Sequence, residues 1–146
     1  MNIAKTIPGK QEFYEAIRYF KHELEKLGVH IQLNHRVQAD DVSDFDEIVL
    51  ASGIHPRQIE LEGISHSKVM TYLDVLRERK PVGNNVAIIG SGGIGFDVGE
   101  FLSQDGPDSA LDSHLFQQEW QIDASLEHAG GLTAPEPQLH PSKRNI

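Results

Sequence analysis

The sequence predicts an α/β fold assembled from parallel-sheet units, and three observations predict it. Two short unbroken apolar runs, at 48–51 and 86–89, have the look of strands covered on both faces. An amphipathic period of Phe13, Ile17, Phe20, Leu24 and Leu27 places an α-helix ahead of them. A glycine-rich turn, Gly90-Ser91-Gly92-Gly93-Ile94-Gly95, then joins the second run to a helix with an apolar side.

The elements follow in order. Pro8-Gly9 marks a turn, the amphipathic helix starts beyond it, and Gly28 sits where a helix stops in the left-handed conformation. Val29, Ile31 and Leu33 alternate with polar residues, the period of a half-buried strand. A polar stretch, 38–46, leads to Ile48, Val49, Leu50 and Ala51, and Ser52-Gly53 closes that strand. Residues 55–67 read as an extended crossing segment. Thr71 with Asp74 forms a capping box for a short helix carrying Tyr72, Leu73 and Leu76, which Pro81 and Gly83 end. Val86, Ala87, Ile88 and Ile89 read as a buried strand. The helix after the glycine turn is expected to bury Ile94, Val98, Phe101 and Leu102. From Gln104 onward prolines and glycines punctuate a long segment, either an insertion or part of an unfinished unit, with one or two short helices expected around 111–120 and 122–128.

Composition narrows the function classes. With 13 basic and 22 acidic residues, the formal charge of -9 repels a phosphate backbone, so no nucleic-acid partner is expected. No apolar run reaches the roughly 18 residues that span a bilayer, and the N-terminus has no signal-peptide pattern, so we expect a cytoplasmic protein without a membrane partner. The chain has no cysteine, so it holds neither a disulfide nor the ligands of an iron–sulfur cluster. Its eight histidines are scattered, without HExxH, and no metal site is expected.

In a GxGxxG turn the first glycine permits the tight bend after a strand. The second lets a pyrophosphate approach the backbone, and the third allows close packing of helix on strand. Here these are Gly90, Gly92 and Gly95, while the amides around Gly93 and Ile94 face the phosphates at the positive end of the helix. Ser91 completes the turn. The motif follows an apolar run directly and opens a helix, the context of a Rossmann-like nucleotide unit. Asp97, one turn into that helix, is a favourable charge near its positive end and not a catalytic acid. The spacing is not GxxxxGK(S/T), so a triphosphatase loop is not supported. The acidic or basic residue that grips the ribose about 20 residues on is missing. Lys143, Arg144 and Ile146 begin a strand there without completing it, so NAD and NADP are not separated.

The words NIAKTIPGKQEFYEAIRYF, FDEIVLASGIHPR, YLDVL and VAIIGSGGIGFDVGEFL, in this order and spacing, closely resemble bacterial NADPH-dependent 2,4-dienoyl-CoA reductases. The resemblance extends through the insertion containing EWQIDASLEHAGGL. It implies an FAD domain with an NADPH domain inserted in it, preceded in the family by a barrel carrying FMN, a 4Fe-4S cluster and the acyl-CoA site. Residues 1–66 would then be part of the first FAD segment, 67–83 a connecting helix, and 84–146 the start of the NADPH unit. By the same resemblance Lys10 contacts FAD, Val37 lies beside the FAD adenine, and Ala51, Ser52 and Gly53 approach the flavin nucleotide. Gly90 to Gly95 match the NADPH pyrophosphate turn. No catalytic residue of the family falls within the matched words.

Each carried-over residue also has a plainer reading. Lys10 suits a solvated lysine near a helix start, Val37 an ordinary strand residue, and Ser52-Gly53 the end of any buried strand. Three functions stay open: the nucleotide-binding portion of such a reductase, a truncated non-catalytic nucleotide-binding fragment, or part of another two-nucleotide flavoprotein reductase. A thioredoxin-reductase type is disfavoured by the lack of CxxC. The resemblance implies that both ends are cut, and an interrupted sheet would expose unpaired edges, so self-association of the fragment or a mobile tail beyond Leu102 is expected.

Overall fold

The computed structural model describes residues 1–138 and 141–146. Among them are four α-helices: α1 (Glu12–Lys26), α2 (Tyr72–Leu76), α3 (Gly93–Ser103) and α4 (Ser113–Glu119). The chain divides into two units, one of Met1–Tyr19 with Met70–Ile146, the other of Phe20–Val69.

The sheet is where the structure overturns the sequence reading. Among the described residues there is no paired strand ladder, only two isolated bridges, Asn85 with Asn145 (parallel) and Ile122 with Leu132 (antiparallel). The Rossmann-like α/β sheet is therefore not formed. A short apolar run specifies extended backbone, but a strand also needs a neighbour on each side and a cover on each face. Segment 48–51 has no such cover: Val49 is 88% and Leu50 90% exposed. The alternating run at 29–33 is likewise exposed throughout, and its residues enter no ladder.

The helices follow the sequence closely. α1 covers the predicted period, with Glu12 and Glu15 in its first turn and Lys26 in its last, each sign suited to the helix dipole. It ends in a Schellman motif. Gly28 adopts φ 69°, its N–H donates to Glu25, and the Val29 N–H donates back to Leu24. α2 opens on the predicted capping box: the Thr71 hydroxyl accepts from the Asp74 N–H at 3.2 Å, and the Thr71 N–H donates to the Asp74 carboxylate at 2.8 Å. Lys80 reaches back to the same carboxylate. These donors hold Asp74 well below the usual carboxylate range, the Lys80 ammonium foremost.

The unit of Met1–Tyr19 with Met70–Ile146 has a small core. Ile7, Val75, Leu76, Val98 and Leu102 are buried, with Tyr72, Val82, Val86, Ile88 and Phe101 packed around them. Ile7 is fully enclosed, a burial that contributes about 1.5–3 kcal/mol. Segment 86–89 is extended but half-buried: Val86 and Ile88 pack on the core while Ala87 and Ile89 face outward. This corrects the expected two-sided burial. One-sided contact gives the same apolar run a period of two.

The Phe20–Val69 unit contains no buried residue, and within it only Glu23 and Val42 are even partly covered. Its order rests on local devices, such as Asp41 accepting from the Gln38 N–H and from the ring of His35. Those bonds, the Gln38 N–H first, lower the pKa of Asp41.

The insertion is built on aspartates. Asp108 caps the 3-10 turn Ser109–Leu111, and Asp112 caps α4 through the N–H groups of His114 and Leu115. Of the one or two short helices expected here, α4 forms and none forms at 122–128. The segment is instead a loop closed by the Ile122–Leu132 bridge, with the Asp123 N–H donating to Gly131 and the Thr133 N–H to Gln121. Asp123 is the reason. Its carboxylate takes the Ser125 N–H (2.9 Å) and the His128 N–H (2.7 Å), the latter a donor that a helix would need for its own ladder.

Candidate nucleotide-binding turn

The extended segment 86–89, the turn and α3 form one continuous arm. Gly90 has φ 118°, a conformation side-chain-bearing residues rarely adopt. Gly92 is the N-cap of α3 in an extended conformation, with no side-chain cap and no acidic residue in the first helical turn. The leading N–H groups of α3 are thus left facing solvent at the positive end of the helix. Gly92, Gly93 and Ile94 are all exposed there. Of the residues expected on the buried side, Val98 and Leu102 are buried and Phe101 packs against the core, while Ile94 is 51% exposed.

Gly95 defines the geometry of the turn. A Cβ built on it would lie 2.0 Å from the Gly90 carbonyl oxygen and 3.0 Å from the Gly90 carbonyl carbon. Both are backbone atoms, so nothing flexible can give way. The absent side chain lets α3 press against the bend, as expected of the third glycine in such a turn. One turn later, at Gly99, a Cβ would meet Ile88 Cδ1 at an ordinary 3.6 Å. Beside this packing lies an open groove of about 400 Å³, bordered by Ile88, Gly90, Ser91, Gly95 and Phe96, with Glu100 and Ile146 at its margin.

Two further contacts hold the arm. Arg144 donates to the Leu102 carbonyl at 2.9 Å, satisfying an otherwise open acceptor at the end of α3. Asn145 bonds across Asn85, so 143–146 begins to pair beside the arm for one bridge and no further. The start of that pairing is legible in the sequence; the cap on α3 is not.

The residues assigned to flavin by resemblance are placed differently. Lys10 belongs to the same unit as the glycine turn, and its ammonium donates to Asp97 of α3 at 2.5 Å. Val37, Ala51, Ser52 and Gly53 belong to the other unit and are exposed. A second hollow of about 450 Å³ borders α4, with His114, Gln117, Gln118, Gln121 and Thr133 on its walls; it shares no wall residue with the glycine-turn groove. Among the described residues no group of three or more His, Cys, Asp or Glu could hold a metal ion, and no helix is long and apolar enough to cross a membrane.

The chain is similar to a set of bacterial enzymes that are named reductases. Cinnamate reductase of Clostridium sporogenes is 38% identical over 112 residues, covering 72% of this chain and 16% of the relative. Bilirubin reductase of Mediterraneibacter gnavus is 29% identical, covering 73% and 17%. Metal reductase of Desulforamulus reducens is 27% identical, covering 71% and 16%. The chain thus spans about a sixth of the length of the curated relatives it matches. None of these three bears the name 2,4-dienoyl-CoA reductase. No protein-family model matches the chain.

Proposed function

We propose that the chain is a nucleotide-binding portion of a flavin-dependent oxidoreductase, in which the Gly90–Gly95 turn holds the pyrophosphate of NADPH. The observation that carries this reading is the close approach of α3 to the Gly90 carbonyl at Gly95, beside unpaired helix N–H groups. Three relatives named reductases support the reaction class. The resemblance to 2,4-dienoyl-CoA reductases supplies the finer reading: NADPH gives hydride to FAD, and the electrons go on to a conjugated double bond. Cinnamate, in the name of one relative, and a dienoyl thioester share a carbon–carbon double bond conjugated to a carbonyl. The nicotinamide and flavin would supply the redox chemistry, while this chain binds and orients the phosphates.

A second reading, nucleotide binding without turnover, is favoured by the exposure of Ala51, Ser52 and Gly53. Mixing the chain with FAD, NADPH and an artificial electron acceptor separates the two. NADPH oxidation that depends on added FAD and is lost in Gly95→Val supports the first. Saturable NADPH binding with no oxidation supports the second. Absence of any NADPH binding removes both.

A further inference from the structure

Asp97 creates a problem for an anion-binding turn. It lies four residues beyond Gly93, about 6 Å along the helix axis. Its full negative charge there opposes the roughly half positive charge that a helix start offers to a phosphate. An acidic group so placed helps the helix but hinders the ligand.

Lys10 answers that charge. Its ammonium lies 2.5 Å from the Asp97 carboxylate, with the two side chains only 37% and 23% exposed, so solvent screens the pair less than a surface ion pair. The lysine is also held in place from both sides. The Gly9 N–H donates to the Asp108 carboxylate at 3.2 Å, and the Gln11 side-chain amide reaches the same oxygen. Ile7, three residues before Lys10, is enclosed in the core. The Pro8–Gln11 turn is therefore fastened on both sides of Lys10, which fixes where its side chain starts beside α3.

We propose that Lys10 is a positioning residue of the glycine-turn site: it neutralises Asp97 so that this carboxylate no longer offsets the positive end of α3 where the dinucleotide phosphates are held. This rests on the nucleotide-binding reading above and gives Lys10 a role separate from contact with the ligand.

A double-mutant cycle on the full chain, read by NADPH fluorescence at low and high salt, tests it. Lys10→Met should weaken NADPH binding by about three- to tenfold at low salt, and less at high salt. Lys10→Met/Asp97→Asn should return to within about twofold of the unmodified chain, because the repulsive charge has gone with its partner. If the double variant stays as weak as Lys10→Met, the neutralising role is overturned. Should Lys10→Met fail to fold by circular dichroism, Asp97→Asn alone decides. Binding as tight as or tighter than the unmodified chain supports the proposal, and weaker binding overturns it. A chain that binds NADPH but shows no cycle overturns this inference only. A chain that binds none overturns the nucleotide-binding reading as well.

Discussion

Gly95→Ala is expected to weaken NADPH binding by about tenfold or more and to lower stability by about 1–3 kcal/mol. One methyl group has this effect because it would occupy the place of the Gly90 carbonyl oxygen, 2.0 Å from the added carbon. The Gly90 backbone would have to move outward, carrying the bend away from the leading amides of α3. Gly99→Ala is the internal control. It sits in the same helix, its added carbon meets Ile88 Cδ1 at 3.6 Å, and replacing a helical glycine by alanine favours the helix by up to about 1 kcal/mol. Urea unfolding and NADPH titration on both variants should give opposite signs for stability. Equal effects would mean that the turn is not closely packed at Gly95.

Asp123→Ala is expected to dissolve the 121–133 loop while leaving α3 and its core intact. Asp123 is only 4% exposed. Its carboxylate accepts from the Ser125 N–H and hydroxyl and from the His128 N–H, with the His128 ring 3.0 Å away. Removing it leaves the two amide donors without their partner, so their hydrogen-exchange protection should fall by roughly tenfold or more. The same bonds, the Ser125 hydroxyl foremost, hold the Asp123 pKa well below the ordinary carboxylate range. A depressed carboxylate contributes stability that is present above its unfolded pKa of about 3.9 and is lost as pH falls through the folded value. The loop should therefore keep its protection at neutral pH and lose it progressively below about pH 4. Unchanged protection of Ser125 and His128 in Asp123→Ala would show that the Ile122–Leu132 bridge holds the loop unaided.

Features that depend on a few neighbouring residues were legible in the sequence. The period of Phe13, Ile17 and Leu24 gave α1, Gly28 its left-handed stop, and the Thr71–Asp74 pair the start of α2. The glycine spacing gave the turn and α3, because steric demand at Gly90 and Gly95 is written in the residues themselves. The sheet was not legible, since pairing is a property of two segments. An apolar run such as 48–51 reads the same whether a neighbour covers it or, as here, none does. Asp123 escaped for a related reason. An Asp two residues before a Ser is a turn signal, and here side-chain capture of the Ser125 and His128 amides outweighs any local tendency to a helix. The Lys10–Asp97 pair is not legible locally, because the two residues are 87 positions apart in the chain.

On the proposed function the start of α3 receives the dinucleotide phosphates. Backbone hydrogen–deuterium exchange of the full chain with and without saturating NADPH tests it most directly. Slowed exchange at the amides of Gly92, Gly93, Ile94 and Gly95, and none at Ser125 or His128, is the predicted result. Saturable NADPH binding that leaves those four amides unchanged would contradict it.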